Sequence, residues 1–453
     1  MPKEIDLANS WADVGVVGAG LAGSEAAWQI AQRGFGVDLY EMRPGRSTEA
    51  HHTGEAAELV CSNSFKSLNQ ENAHGLLKAE MELQGSVILE AARAAALPAG
   101  QALAVDREQF SRRVTQRLEE HPAIRWRREE VSDLSLLLTR HRRVVVASGP
   151  LTSPALSQAL QRMVGQGFLY FYDAIAPVVM ADSINRQVAY PAARWDKGGA
   201  DYLNCPLNKE QYHAFVEALL SAETVPLQTF EDLRHFEGCL PIEELARRGP
   251  MTLAHGPLKP AGLTNPATGR WPFAVAQLRQ ENSQATLWGL VGFQTKMTWP
   301  EQQRVLRLIP GLEQAEFARL GSMHRNTFLQ SPGLLTQEMA LKTEPRLHFA
   351  GQITGVEGYM ESAAMGLAVG RRVAQALREC PWPPPPAPDT MIGALWRYVT
   401  QTAGEGFQPM NANFGLMDPP PPDIAKTGKK AWWAQRALGA MALSLEQERL
   451  GGG

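Results

Sequence analysis

The stretch Asp13–Pro44, DVGVVGAGLAGSEAAWQIAQRGFGVDLYEMRP, decides the fold. Val14 to Val17 is a short, mostly β-branched run that suits a buried parallel strand, and Gly18, Gly20 and Gly23 follow it as G-x-G-x-x-G ahead of a helical pattern. In a strand–turn–helix of this kind the first glycine permits the sharp turn, the second lets backbone approach a pyrophosphate, and the third lets helix pack on strand. The helix N-terminus then offers unpaired N–H groups and partial positive charge to phosphates. A second strand, Val37 to Tyr40, ends at Glu41, at the spacing where a carboxylate accepts the hydroxyls of an adenosine ribose. The turn that follows, Met42 to Arg46, sets Arg43 and Arg46 beside the expected phosphates. A dinucleotide site is the reading.

The rest of the chain enlarges this unit. Asn72 to Ala96 has helical spacing, with Leu76, Leu77, Met81 and Ile88 forming much of one apolar face. Ala102 to Val105 reads as a strand, and Asp106 as the N-cap of a helix over Arg107 to Leu118. Val144 to Val146 is another buried-strand run, ending in small residues as a sheet's carboxyl edge does beside a cofactor. From about Leu169 to Pro332 short strand-like runs, prolines and Trp195, Trp271 and Trp299 mark a change of character. This implies an inserted domain over 169–332, with the first domain made of 1–168 and 333–453. The first sheet resumes at Leu347 to Ala350. It is followed by a glycine-rich turn containing Gly351, Gly355, Glu357 and Gly358, and by a small-residue helix over Met360 to Leu377. A second helix N-terminus presented to an extended cofactor suits FAD, and a structural glycine turn beside a single nicotinamide site is the alternative. Pro381 to Pro388 reads as a polyproline strut, and a basic, aromatic patch with Lys426, Lys429, Lys430, Trp432 and Trp433 lies beyond it.

With 453 residues the chain has material for two or three domains, and its 44% apolar and 20% charged residues are ordinary globular values. A net charge of −3 gives no overall nucleic-acid footprint, so an RNA substrate would need a local basic face. No apolar run reaches the length of a membrane span and MPKEIDLANSW lacks a signal-peptide hydrophobic region, so the expected location is the cytoplasm. The four cysteines, Cys61, Cys205, Cys239 and Cys380, form no C-x-x-C pair, which argues against a metal site or a disulfide framework. Cys239 precedes Pro241 and a helical pattern, a position just before a helix N-terminus that favours thiolate. Cys61 is followed by Ser62, Asn63 and Ser64, small polar neighbours that suit a working thiol. The competing reading for each is a small core residue.

GVVGAGLAGSEAAWQIAQRG, LYEMRP, ELVCSNS, ALAVDREQF, EGCLPIEELARRGP, LVGFQTKMTWPEQ, MHRNTF, AGQITGVEGYMESAAMGLAVG and GFQPMNANFGL, in this order from Val14 to Leu416, are similar to the bacterial folate- and FAD-dependent tRNA uracil-54 methyltransferases. The resemblance implies a Rossmann-like, glutathione-reductase-like FAD domain with an inserted α+β domain. It implies transfer of a one-carbon unit from methylenetetrahydrofolate to carbon 5 of a T-loop uridine of tRNA, with NAD(P)H as reductant and no obligate protein partner. The working cysteines of that family fall on Cys61 and Cys239, Cys239 being the candidate for attack on carbon 6. Carbon 5 of uracil is a poor nucleophile until a thiolate adds to carbon 6, which explains the need for a reactive sulfur. The FAD fingerprint falls on Gly18, Ala19, Gly20, Leu21, Ala22, Gly23, Glu41 and Arg43, and the flavin-side turn on Gly351, Gly355, Glu357 and Gly358. Tyr359 is a candidate for stacking, His324 and Arg325 for folate, and Lys259, Arg279, Lys296, Arg247 and Arg248 for phosphate. The rival readings are the larger wobble-uridine flavoprotein, whose long C-terminal helical domain this length lacks, a small-molecule FAD oxidoreductase, and a non-catalytic RNA-binding flavoprotein.

Overall fold

Val14, Val16 and Val17 are buried, and their strand takes an interior place in a six-stranded sheet. Branched side chains suit a pleated surface covered on both faces, which is why a parallel strand reads as an unbroken apolar run. The computed structural model describes residues 11–48, 50–165, 168–196, 199–225, 240–378, 382–402 and 407–451. Across the first sheet the order is Ala340–Leu341, Glu344–Phe349, Arg143–Val146, Val14–Val17, Val37–Tyr40 and Ile124–Arg127. Its pairings are parallel except at the Ala340–Leu341 edge. This is the α/β arrangement expected from the sequence. It brings the ends of Val14–Val17, Val37–Tyr40 and Arg143–Val146 to one edge.

Helix Leu21–Ala31 crosses helix Tyr359–Ala376 at very short range. A Cβ placed on Gly366 would lie 2.1 Å from Ala22 O, so only glycine lets the two backbones meet there. The helix expected over 72–96 is two helices, Ala73–Leu83 and Val87–Ala94. Gly85 takes a φ of 73°, and Ser86 then caps the second helix by accepting the Leu89 N–H at 3.0 Å. Asp106 caps helix Arg107–Glu119 as expected, accepting the Gln109 N–H at 3.1 Å.

A second six-stranded sheet, wholly antiparallel, runs in the order Tyr190–Ala192, Tyr202–Leu207, Ala274–Gln280, Leu287–Leu290, Val178–Met180, Phe317–Arg319. It has its own core, in which Tyr212, Phe215 and Phe293 are buried. Helices Met391–Gln401 and Lys429–Gly451 follow the proline-rich segment. Glu80, buried on Ala73–Leu83, caps the first of these by accepting the N–H groups of Met391 and Ile392 at 2.7 and 2.9 Å. Among the described residues no helix is long and apolar enough to cross a membrane.

His348 ties the first sheet to its edge and makes folding pH-dependent. Arg143 can only donate, so His348 Nε2 accepts at 3.2 Å and Nδ1 donates to Glu338 O at 3.2 Å. Burial, reinforced by Arg143, pushes its pKa from 6.5 down to about 3. The unfolded chain therefore takes up a proton below 6.5 that the folded chain refuses until about 3, and stability falls as pH drops through that window. Between about pH 7 and about pH 4.5, urea unfolding of His348→Gln is expected to lose about 2 kcal/mol less stability than the parent.

Candidate active site

Gly18, with a φ of 98°, turns the chain out of its strand, and its N–H donates to Tyr40 O at 2.8 Å. Helix Leu21–Ala31 starts at Gly20 with no side-chain cap and no acidic residue in its first turn, so its first N–H groups remain available. A Cβ on Gly20 would meet no atom within 4 Å, whereas one on Gly23 would lie 1.7 Å from Gly18 O. Gly20 thus faces a hollow and Gly23 packs. Gly18, Gly20, Leu21 and Ala22 line a cavity together with Glu41, Ser153, Gln352 and Tyr359. Ala19, buried beside them, donates its N–H to Glu41 Oε2 at 3.0 Å. An open helix start on the wall of a cavity that also carries Glu41 suits a dinucleotide with its pyrophosphate at Gly20.

Glu41 and Arg43 both lie on the cavity wall, but Arg43 is already committed. Its Nε donates to Glu41 Oε1 at 2.9 Å and its Nη1 to Glu58 Oε2 at 2.9 Å. Burial opposes the Glu41 charge, yet hydrogen bonds from Arg43 and from the Ala19 N–H outweigh it and hold the carboxyl below its ordinary range. Arg43 therefore balances two carboxylates instead of offering a free cation to phosphate. The later glycine turn is sharply bent. Gly351 and Gly355 take φ of 79° and 89°, and Gln352 Nε2 donates to Glu357 Oε2 at 2.6 Å. Gly358 stands at the N-cap of Tyr359–Ala376 with no side-chain cap. Because Gln352, Tyr359 and Ser362 line the same cavity as Gly20, two helix starts serve one hollow.

That hollow shares Val60, Pro150, Leu151, Gln352 and Tyr359 with a second cavity, lined also by Cys61, Ser62, Lys66, Arg279, Arg319 and Asn326. Tyr359 is the hinge between the two. Its hydroxyl accepts the N–H groups of Cys61 and Ser62 at 2.8 and 3.1 Å, and burial with Cys61 nearby pushes its phenol pKa up. Its hydroxyl thus positions the Cys61 loop. Arginines complete the hold on this loop. Arg107 donates to Leu59 O at 2.8 Å and Cys61 O at 3.1 Å, and Arg279 to Asn63 Oδ1 at 2.8 Å and Ser62 Oγ at 3.0 Å.

Cys239 lies outside the described residues, as does Cys380. Pro241 is the N-cap of helix Ile242–Arg247, and the Ile242 N–H donates to O of Gln294, itself part of the Cys61 cavity wall, at 2.7 Å. Cys205 is fully buried and its thiol is pushed up to about 12, the behaviour of a packed residue. Of the phosphate candidates, Arg279 serves the cavity wall, while Lys296 and Arg247 both pair with Glu244. His324 and Arg325 lie on strand Met323–Leu329, and their side chains are outside the described set. A larger hollow of about 1120 Å³, lined by Trp28, Arg33, Leu83, Arg371 and Glu448, has no thiol and neither of the two open helix starts on its wall.

This sheet order, with a glycine cradle and a second helix start on one cavity, defines an FAD-binding, Rossmann-like α/β protein. The solved structure of Aquifex aeolicus GidA matches it with a TM-score of 0.67 at 15% identity, over 98% of this chain and 76% of that one, a likeness of fold. The family model for glucose inhibited division protein A matches residues 13–381. The methylenetetrahydrofolate–tRNA-(uracil-5-)-methyltransferase TrmFO of Heliobacterium modesticaldum is 55% identical over 407 residues, 90% of this chain and 91% of that protein. The protein of the same name from Geobacter sulfurreducens is 55% identical over 427 residues, 94% of this chain and 97% of its own. The chain belongs to this TrmFO family, within the wider glucose inhibited division protein A family.

Proposed function

We propose that the chain methylates carbon 5 of a tRNA uridine, taking the one-carbon unit from methylenetetrahydrofolate with FAD as its bound cofactor. The uridine is position 54 of the T-loop and NAD(P)H is the reductant. The observation that carries this reading is the junction at Tyr359, where the cavity of the glycine cradle shares a wall with a second cavity lined by Cys61. Bound FAD would supply hydride chemistry at that junction. The chain's own groups do the rest: helix starts at Gly20 and Gly358 hold the cofactor, and Tyr359 with Arg107 and Arg279 fixes the loop bearing Cys61. Cys239 adds to carbon 6 and Cys61 handles the methylene or the carbon 5 proton. Residues 1–168 and 333–453 hold FAD and residues 169–332 receive RNA. The target base is buried in a folded loop and enters flipped out of its stack.

Incubation of the purified protein with methylenetetrahydrofolate, NADH or NADPH and unmodified tRNA is expected to yield 5-methyluridine by nucleoside mass spectrometry, lost when folate is omitted. No 5-methyluridine with either reductant, from protein that carries FAD, would overturn the reading.

A further inference from the structure

Beside the Cys61 cavity three arginines crowd one carboxylate. Arg107, Arg279 and Arg319 surround Glu281, which Arg107 Nε takes at 2.8 Å and Arg279 Nη2 approaches at 4.0 Å. Arg107 and Arg279 use their remaining donors on the Cys61 loop at ordinary distances. Arg319 does not. Its Nη groups reach Val60 O at 3.4 Å and Cys61 O at 3.3 Å, the outer limit of hydrogen bonding, and its shielded Nε has no acceptor among the described residues. Burial and repulsion from Arg107 lower its pKa to about 10. Five guanidinium N–H donors in a partly dry site, so poorly used, are costly until an acceptor arrives. Arg319 lines the cavity beside Cys61, Tyr359 and Asn326.

We propose that Arg319 is a catalytic residue whose guanidinium edge receives the C4 oxygen of the target uracil as negative charge collects there. The inference rests on the uridine reading given above. When sulfur adds to C6, an S–C6 bond forms, the C5–C6 π pair moves to C4–C5, and the C4=O π pair moves onto O4. The resulting enolate needs no added oxidant or reductant. A cation already held in place stabilises that charge without having to reorganise as the bond forms. As C5 bonds to the one-carbon unit, the pair returns from O4 and the carbonyl is restored. Glu281 attracts Arg319 at longer range, but its short contact, 2.8 Å, is to Arg107, which leaves the Arg319 donors poorly used.

The test uses the holoenzyme with methylenetetrahydrofolate, reductant and a T-arm RNA carrying 5-fluorouridine at the target, which cannot shed a proton from C5 and so leaves a covalent protein–RNA complex stable to denaturant. Arg319→Gln is expected to slow complex formation by about 10²–10³-fold, with RNA affinity and flavin content each within about threefold of the parent. Arg319→Lys, which keeps the charge but not the fork, is expected to recover part of the rate and serves alone if the glutamine variant cannot be purified. Trapping at the parental rate in either variant overturns the assignment, and so does a loss of RNA or flavin binding that accounts for the whole slowing. If the parent protein neither traps this RNA nor methylates normal tRNA, the uridine reading itself fails and Arg319 falls with it.

Discussion

Gly20→Val is expected to give a folded but colourless protein. A Cβ at this position meets no protein atom within 4 Å, so the backbone around it has room for a side chain. It would instead occupy the hollow in front of the first turn of Leu21–Ala31, where a pyrophosphate needs close backbone approach. Overpacking of about 1–3 kcal/mol, added to lost phosphate contacts, weakens FAD binding by about 100-fold or more. Gly23→Ala should fail in the opposite way. Its Cβ would stand 1.7 Å from Gly18 O, a backbone atom that cannot move without separating the helix from its strand. Thermal melting of the cofactor-free protein is therefore expected to be unchanged in Gly20→Val and lowered by several degrees in Gly23→Ala, while flavin absorbance after gel filtration disappears in both. A yellow Gly20→Val protein would show that the cradle does not hold the pyrophosphate.

The contrast between two glycines three residues apart shows what could be read from the sequence. Features set by local sterics were legible: the β-branched strands, the glycine turn, the Asp106 cap, and the small-residue helix whose Gly366 meets Ala22 O. Features that depend on which distant groups meet were not. Nothing in the spacing of residues 107, 279 and 319 announces that Arg107, Arg279 and Arg319 converge on one loop. They arrive from a helix of the first unit and two strands of the second sheet. Tyr359 followed a glycine turn and read as a stacking ring, but its hydroxyl reaches Cys61 and Ser62, almost 300 residues earlier. Arg43 looked like a phosphate ligand because its neighbours Glu41 and Glu58 were not seen as partners. The helix Lys429–Gly451 gave little warning because its apolar residues do not gather on one face.

Cys239→Ala is expected to abolish methyl transfer, by about 10⁴-fold or more, since on the proposed mechanism it is this sulfur's addition to carbon 6 that makes carbon 5 nucleophilic. Cys61→Ala should be as inactive, and its flavin should remain bound for a specific reason. Tyr359 holds the loop through the backbone N–H groups of Cys61 and Ser62, and Arg107 through the carbonyls of Leu59 and Cys61, contacts that alanine preserves. Loss of activity there reports the sulfur and not a collapsed site. Cys205→Ala supplies the comparison: its thiol is fully buried in the core of the second sheet, so the substitution should lower stability and leave the rate per folded molecule intact. The two active-site variants should separate on RNA containing 5-fluorouridine. On the proposed roles, the protein without Cys239 is expected to form no covalent complex with the RNA, since the bond to carbon 6 is not made. Without Cys61 that bond remains chemically available, and any complex recovered must carry the RNA on Cys239, which peptide mapping would locate. RNA found on Cys61 in the Cys239→Ala protein would reverse the two roles, placing the attacking sulfur on the loop that Tyr359 and the arginines hold rigid.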